Sequence, residues 1–342
     1  MKPATEIKYS VGDHLRFFYN LIATFTTVTI YLVYEIVLGI VNKLTGGSKK
    51  DINGQVALVT GGANGLGRAI AFRLGQEKCN VVIADLNQKE AEDTAAEIAA
   101  KYNVKTAAYK VDVSSFENVQ QLKKDIESTL GCVDILVNNA GILSALSLRE
   151  GQPKDIQKVI DVNLTSHFWT VRTFLESMLA QKRGHIVAIS SLSGKITFPL
   201  ACAYCATKFG VRGFMLALYD ELCIDNSDRF IKTTTAYPSF INTRKCLGDL
   251  LDNISEFAPR MTPEYVAKEI VIGMNDISEL SACLTMDSFP GILHNKSDVT
   301  LPGSARFFQC VNWLPPRVMK LMKNKIAPGP DDDDDENIEK TI

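Results

Sequence analysis

Three residues of this sequence have types and a spacing suited to acid–base chemistry on an oxygen atom: Ser191, Tyr204 and Lys208. The pKa of a phenol is ordinarily about 10, so Tyr204 can carry a proton at neutral pH only if that pKa is lowered. Lys208 follows Tyr204 by four residues, which places both on one face of a helix, where Coulomb attraction favours the phenolate. Because tyrosine and lysine at this spacing are also common on solvated helices, the interpretation depends on the sequence around them.

A glycine-rich segment that begins at Gly61 predicts a phosphate-binding turn. The apolar run from Val56 to Val59 leads into it, and a helix-like sequence follows it. Gly61 permits a tight turn, Gly65 lets the backbone approach a pyrophosphate, and Gly67 lets the helix pack closely on the strand. The free N–H groups at the start of such a helix attract phosphate. Together with the acid–base residues, this turn predicts a nicotinamide-dependent alcohol or ketone oxidoreductase.

Asp85, which ends the second apolar run, predicts which nicotinamide cofactor is used. It stands eighteen residues after Gly67, where a carboxylate can accept hydrogen bonds from ribose hydroxyls. A 2′-phosphate at that place requires a cation, whereas Asn64 and Leu86 are both uncharged. We therefore predict NAD in preference to NADP. The alternative is that Asp85 only caps the helix that follows it.

Around these residues, apolar strand-like runs alternate with stretches of helical length. Such alternation demands parallel strands joined by right-handed crossovers, with a cofactor at the carboxyl ends of the strands. The chain has 342 residues, 46% of them hydrophobic, which is enough for the core of one large domain. We predict an α/β fold with a doubly wound parallel sheet, of the Rossmann type, as a single domain over residues 51–290. The predicted strands are Gln55 to Thr60, Asn80 to Ala84, Thr106 to Val111, Asp134 to Val137, His185 to Ser190 and Ile231 to Ala236.

Over about residues 50–290 the chain resembles the short-chain dehydrogenase/reductase superfamily. One departure is Ser239, which stands where the family has glycine, in the segment that contacts the nicotinamide carboxamide. The matching motifs are Thr-Gly-x-x-x-Gly-x-Gly at residues 60–67, Asp112-Val113, Asn-Asn-Ala-Gly at 138–141, Asn163, Ser191, Tyr-x-x-x-Lys at 204–208, and Pro238 to Thr243.

The resemblance implies a role for each matching residue. Tyr204 would exchange the proton of the alcohol, Lys208 would lower the pKa of Tyr204 and hold the nicotinamide ribose, and Ser191 would bind the substrate and orient its reacting oxygen. Asn163 would bend its helix and keep a water that links Lys208 to solvent. The thirteen-residue offset to Tyr204 selects Ser191 over the neighbouring Ser190. The predicted cofactor-binding residues are Gly61, Asn64, Gly65, Leu66, Gly67, Asp85, Leu86, Asp112, Val113, Asn139, Ala140, Gly141, Tyr204, Lys208, Ile241 and Thr243.

Residues 1–50 contain an apolar segment that predicts a membrane-anchoring helix. From Phe17 to Tyr34, eighteen residues carry no ionised side chain, and apolar residues resume from Ile36 to Val41. Eighteen helical residues extend roughly 27 Å, close to the ~30 Å hydrocarbon core of a bilayer. The alternative is an extra helix that packs on the enzyme or lies in the interface. We expect an endoplasmic reticulum membrane protein, with possible extension to lipid droplets and with the catalytic domain in the cytosol.

The leader and the chain length are similar to one branch of the family, which holds the membrane-bound retinol dehydrogenases and the 17-beta-hydroxysteroid dehydrogenases of types 11 and 13. Residues 244–261 contain several leucines and predict an apolar lid, although an amphipathic helix packed on the core explains the same pattern. From the resemblance and the apolar lid we predict a lipophilic substrate, namely a retinoid, a steroid or a long-chain alcohol. The rival interpretations are a reductase of a soluble carbonyl compound and a non-catalytic lipid-surface protein that keeps the fold.

The remaining features indicate no further chemistry. The four histidines have no ligand spacing, so no metal site is predicted. Cys202 and Cys205 are interpreted as packing residues, and the eight cysteines as reduced thiols. Residues 291–330 form a basic and apolar C-terminal extension that either lies on a membrane or is solvated, and residues 331–342 form an acidic, disordered tail. No motif predicts nucleic-acid binding, and we expect a homodimer.

Overall fold

The structure, a computed structural model, describes residues 50–143, 148–149, 151–198, 200–242, 261–275 and 298–301, together with five separate residues of the leader. Within these ranges, seven parallel strands form one sheet in the order β3-β2-β1-β4-β5-β6-β7. The strands are β1 Val56–Thr60, β2 Asn80–Asp85, β3 Thr106–Lys110, β4 Ile135–Asn138, β5 Gly184–Ile189, β6 Ile231–Pro238 and β7 Asp298–Leu301.

The six strands predicted from sequence are present, with ends that differ by one or two residues. Two residues predicted as strand ends, Val111 and Ser190, still donate their N–H groups to the neighbouring strand, at 2.9 and 2.8 Å. The seventh strand, β7, pairs with β6. Because β7 begins at Asp298, the sheet extends beyond residue 290, where the sequence placed the end of the domain.

Helices cover both faces of the sheet, which confirms the predicted doubly wound α/β fold. One face packs against α1, α2 and α7, and the other against α3, α5 and α6. The central strands β1, β4 and β5 are wholly buried, since side chains that alternate along each strand enter the two cores in turn. The helices are α1 Gly65–Gln76, α2 Gln88–Tyr102, α3 Phe116–Thr129, α4 Pro153–Ile160, α5 Ser166–Ala180, α6 Cys202–Ile224 and α7 Pro263–Asn275.

The order of the strands determines where a ligand can bind. From β1 the chain builds the sheet outwards to β3, and β4 then returns to the other side of β1. The crossovers on the two sides of this point leave in opposite directions and open a crevice at the carboxyl ends of the strands. The glycine turn follows β1 and the Asn-Asn-Ala-Gly segment follows β4, so both lie at this point.

The predicted membrane anchor falls almost entirely outside the described residues. Of residues 17–34, the structure describes Tyr19, Ile22, Thr26 and Ile30, all helical and exposed. In the part of the chain that is described, no helix is both long enough and apolar enough to cross a bilayer.

Candidate active site

The turn after β1 is shaped by its glycines. Gly61 and Gly65 have φ angles of 62° and 56°, in the left-handed region that favours glycine. A Cβ atom on Gly67 would lie 2.0 Å from the carbonyl oxygen of Gly61, so no larger residue fits between helix and strand. Asn64 caps α1 by accepting a hydrogen bond from the N–H of Gly65 at 2.6 Å. The amino end of α1 therefore lies directly against the end of β1.

Asn139 fixes the end of β4 to this turn. Its Nδ2 donates to the carbonyl oxygens of Thr60 and Gly61, each at 3.0 Å. The Oγ1 of Thr60 accepts the N–H groups of Asn139 and Ala140 at 3.0 and 3.1 Å. Thr60 was not among the predicted site residues, although it is the first residue of the turn motif. These bonds hold two loops from neighbouring strands in one rigid unit.

The Asp85 carboxylate joins the end of β2 to the glycine turn. Its Oδ2 accepts the N–H of Ala63 at 3.1 Å, and its Oδ1 accepts the N–H of Asn87 at 3.1 Å. The side chain that caps α2 is Asn87, whose Oδ1 accepts the N–H of Glu90. The alternative interpretation of Asp85 as that helix cap is therefore wrong.

A cation that the sequence analysis missed lies beside Asp85. Lys110 is the register partner of Asp85 across β2 and β3, so their side chains leave the same face of the sheet. Lys110, Leu86 and Asp112 line a smaller hollow of about 330 Å³ next to the main cleft. Lys110 is 25 residues from Asp85 in the chain, so sequence neighbours do not indicate it, and only the pairing of β2 with β3 brings the two together.

A cleft of about 630 Å³ runs along the carboxyl ends of the strands. It brings together all but two of the predicted site residues: Asn163 lies behind it, and Thr243 lies outside the described residues. The predicted residues in its wall are Gly61, Asn64, Gly65, Leu66, Gly67, Asp85, Leu86, Asp112, Val113, Asn139, Ala140, Gly141, Ser191, Tyr204, Lys208 and Ile241.

Lys208 and Tyr204 extend from the first turns of α6 into this cleft. The Nζ of Lys208 lies 5.7 Å from the centre of the Tyr204 ring and donates to the carbonyl oxygen of Ile189 at 2.9 Å. Only 4% of Lys208 is exposed, and this burial lowers its pKa to about 8. A cationic group with a readily released proton is thus fixed one helical turn from a phenol.

The two serines at the end of β5 make different contacts. Ser190 donates its hydroxyl to the carbonyl oxygen of Lys208 at 2.9 Å, which fixes the first turns of α6 on the sheet. Ser191 accepts the N–H of Ser193 at 3.1 Å, so its own hydroxyl hydrogen can point into the cleft. The geometry therefore gives Ser190 a positioning contact and leaves Ser191 available to a ligand.

Asn163 lies in a π-helical turn, Asp161–Thr165, that joins α4 to α5. It is fully buried, and its Oδ1 accepts the N–H of Ile142 at 2.7 Å while its Nδ2 donates to the Ile142 carbonyl at 2.8 Å. The Nδ2 also lies 3.4 Å from the Oγ1 of Thr207 on α6. Asn163 thus connects the loop after β4 to α6, the helix that bears Tyr204 and Lys208.

His167 is a buried group near Lys208 that no sequence pattern singles out. Burial, and then the charge of Lys208, lower its pKa to about 3. Its Nδ1 has no hydrogen-bond partner among the described residues. The imidazole is therefore neutral at physiological pH and adds no charge beside Lys208.

The end of the cleft beyond Tyr204 has an apolar wall. Phe198 and Phe240 meet edge to face, with ring centres 6.0 Å apart. The backbone N–H of Phe198 lies 3.5 Å from the sulfur of Cys205, which is buried and carries a free thiol, as does the exposed Cys202. The other apolar side chains in this part of the wall are Ile142, Leu143, Leu192, Leu200 and Ile241. The predicted lid over residues 244–261 lies outside the described residues except for Met261.

The family model described as short chain dehydrogenase matches residues 55–246. Estradiol 17-beta-dehydrogenase 11 of Homo sapiens is 31% identical over 280 residues, which are 82% of this chain and 85% of that protein. Retinol dehydrogenase 10 of Homo sapiens is 32% identical over 275 residues, which are 73% of this chain and 80% of that protein. A metagenomic short-chain oxidoreductase, crystallised in complex with NADP, has a TM-score of 0.57 and 26% identity, and covers 74% of this chain and 98% of its own. With this match and these relatives, the chain belongs to the short chain dehydrogenase family of oxidoreductases.

Proposed function

We propose that this protein is an NAD-dependent oxidoreductase that interconverts a lipophilic alcohol and its aldehyde or ketone. The observation that carries the proposal is that Ser191, Tyr204 and Lys208 line one cleft. The glycine turn with the amino end of α1 lines the same cleft on one side of them, and an apolar wall lines it on the other. The relatives named as estradiol and retinol dehydrogenases support a lipophilic substrate.

The residues of the turn fit a dinucleotide. The missing side chain at Gly67 lets the amino end of α1 approach the strand, and the first turn of the helix lines the cleft at Gly65, Leu66 and Gly67, where a helix N-terminus favours phosphate. Gly61, Asn64, Gly65 and Leu66 would hold the pyrophosphate, and Asp112 and Val113 would flank the adenine. Asn139, Ala140, Gly141 and Ile241 would line the path towards the nicotinamide.

In the proposed reaction, Tyr204 exchanges a proton with the substrate oxygen. Lys208 is fixed by the carbonyl of Ile189, and its charge favours the phenolate of Tyr204, which accepts the hydroxyl proton of an alcohol. Ser191 donates a hydrogen bond to the same oxygen and holds it in place. The nicotinamide, when bound, supplies the capacity to accept or return a hydride.

NAD is the proposed cofactor because of Asp85. Its carboxylate is fixed by two backbone N–H groups at the place where the adenosine ribose would lie, and a fixed negative charge repels a 2′-phosphate. Lys110 on the next strand is the described cation that could weaken this discrimination, and it lies outside the wall of the main cleft.

We also propose that residues 1–50 anchor the protein to the endoplasmic reticulum membrane, with possible extension to lipid droplets and with the catalytic domain in the cytosol. The described apolar residues of the leader, Tyr19, Ile22, Ile30 and Val37, are 52–73% exposed, which suits contact with lipid. Carbonate extraction tests this: full-length protein that washes off membranes at high pH contradicts the anchor.

A homodimer is proposed because two aromatic side chains on neighbouring helices lie on the surface. Phe168 on α5 is 46% exposed and Phe209 on α6 is 37% exposed. Sedimentation of the detergent-solubilised protein tests this, and a mass of one chain at micromolar concentration contradicts it.

A turnover screen tests the proposed activity. Purified, detergent-solubilised protein is incubated with NAD or NADP and with panels of retinol, steroids, fatty alcohols and soluble carbonyl compounds. Oxidation of a lipophilic alcohol supports the proposal. Turnover confined to soluble carbonyls favours a reductase of another kind, and no turnover with any substrate favours a non-catalytic protein that retains the fold.

A further inference from the structure

Leu200 has a backbone conformation that leucine rarely adopts. Its φ angle is 60°, in the left-handed region, where the Cβ atom of an L-residue crowds the following carbonyl. The other non-glycine residues with positive φ in the described chain are Lys78, Asn103, Lys182 and Asn226, and each follows the end of a helix by one or two residues. Such a conformation commonly ends a helix, so those four have a structural reason. Leu200 instead precedes helix α6.

Burial does not explain the leucine either. Its residue surface is 47% exposed, although leucine is usually buried. The same loop has its own anchors, because Leu192 and Ile196 are buried and pack with Phe198. The N–H of Phe198 adds a contact to the sulfur of Cys205. The loop is therefore fixed without the Leu200 side chain.

The position of Leu200 indicates what its side chain contacts. It lines the cleft four residues before Tyr204, next to the wall that Phe198 and Phe240 form. An exposed apolar side chain at a cleft rim gains free energy when an apolar ligand covers it. A strained backbone conformation at such a position points to a function of the residue.

We propose that Leu200 determines substrate specificity by covering the apolar part of the substrate beside the reacting carbon. This inference rests on the proposed function and deepens it: the alcohol must carry a hydrocarbon chain or ring system that is long enough to reach Leu200. Short alcohols that fill only the space at Tyr204 and Ser191 do not touch it.

The test uses Leu200→Gly in the full-length protein, because glycine relieves the backbone conformation and removes the apolar contact together. We expect the melting temperature to stay the same or rise, and the KM for decanol or retinol to rise on the order of tenfold with kcat nearly unchanged. The KM for propanol should not change. Leu200→Asn, which also tolerates the left-handed region, should repeat the loss of affinity for the long substrates.

Lys182→Gly is the matched control, since Lys182 also has a positive φ angle, of 50°. It lies just before β5, at the amino ends of the strands and away from the cleft at their carboxyl ends. The substitution should give the same relief of the backbone with no change in any KM. The inference is overturned if Leu200→Gly leaves the ratio of long-chain to short-chain KM unchanged, or if it lowers the melting temperature as a packing residue would. If the wild-type protein oxidises no lipophilic alcohol, the proposed function fails and this inference fails with it, which is a different result from unchanged KM values in an active enzyme.

Discussion

Asn163 holds both backbone groups of Ile142, a residue 21 positions earlier in the chain, through its Oδ1 at 2.7 Å and its Nδ2 at 2.8 Å. A single side chain thus makes both backbone hydrogen bonds of Ile142, which a neighbouring strand would make in a sheet. The same loop lines the cleft at Gly141 and Ile142, so the position of its backbone depends on a residue in the π-helical turn before α5.

Asn163→Ala should therefore destabilise the fold and the cleft together. The substitution leaves the N–H and C=O groups of Ile142 without their partner, which costs on the order of 2 to 4 kcal/mol of unfolding free energy. Gln157→Ala is the control, because Gln157 lies on the preceding helix α4 and donates an exposed hydrogen bond to Asp161. Thermal unfolding of the two variants checks this, and an equal effect of both substitutions contradicts it.

Two glycines, Gly67 in the turn after β1 and Gly213 on α6, give a matched pair of substitutions with opposite expected results. Gly67→Ala should abolish cofactor binding and lower the melting temperature, since its Cβ would lie 2.0 Å from a backbone oxygen. Gly213→Ala, at an exposed position of α6, meets nothing within 4 Å and should raise stability by about 0.5–1 kcal/mol. Calorimetry with and without NAD measures both effects. Retained NAD affinity in the Gly67 variant would remove the argument for a pyrophosphate cradle.

Tyr204→Phe should keep the ring and its packing but remove the hydroxyl that is proposed to carry the proton. We expect turnover to fall at least about a hundredfold, within the range that general acid–base groups contribute, while NAD binding is retained. Tyr102→Phe, at the end of α2 in an edge-to-face pair with Phe72 of α1, serves as the control and should leave turnover unchanged. Near-normal turnover by the Tyr204 variant would sink the catalytic assignment and favour the non-catalytic alternative.

Burial of Lys208 should make stability depend on pH above neutrality. Its pKa is lowered from 10.5 to about 8 in the folded protein, so between these values the unfolded chain holds a proton that the folded chain has released. Stability should therefore rise as the pH increases from about 8 towards 10.5, by up to roughly 1.4 kcal/mol per pH unit. Below pH 8 both states are protonated, and this contribution stays constant.

Melting temperatures of the wild type and of Lys208→Met between pH 7 and pH 10 check this dependence. The difference between the two curves isolates the one lysine from the other groups that titrate in the range. The exposed Lys182→Met should follow the wild type. Parallel curves for wild type and Lys208→Met would contradict the prediction.

NAD should bind more tightly than NADP, and Asp85→Ser combined with Leu86→Arg should shift the preference towards NADP. Removing the fixed carboxylate ends the repulsion of a 2′-phosphate, and the arginine supplies a partner for it. Lys110→Ala in the wild-type background should weaken whatever affinity for NADP the protein has, without changing that for NAD. Titration calorimetry measures the affinity of each variant for both cofactors. Equal or tighter binding of NADP by the wild type contradicts the predicted preference for NAD.

The sequence alone determined the fold class and the order of the elements, because apolar runs of strand length that alternate with helical stretches can only be buried as a parallel sheet between two helical layers. It also located the glycine turn and the Tyr204–Lys208 pair, since both are local: each function depends on residues a few positions apart. The tertiary structure decided contacts between residues far apart in the chain. It placed Lys110 beside Asp85. It also formed the hydrogen bond from Ser190 to the carbonyl of Lys208 and the hydrogen bond between Asn163 and the backbone of Ile142.

The tertiary structure also decided the apolar wall. Sequence patterns placed the lid at residues 244–261, where leucines are dense, whereas Phe198, Leu200 and Phe240 become one surface only because β5 and β6 end side by side. Nor does sequence show that Leu200 lies in the left-handed region, because leucine does not favour it and only surrounding contacts can impose it. Local spacing therefore predicted the proposed chemistry, and strand pairing determined the shape of the space in which the substrate is proposed to lie.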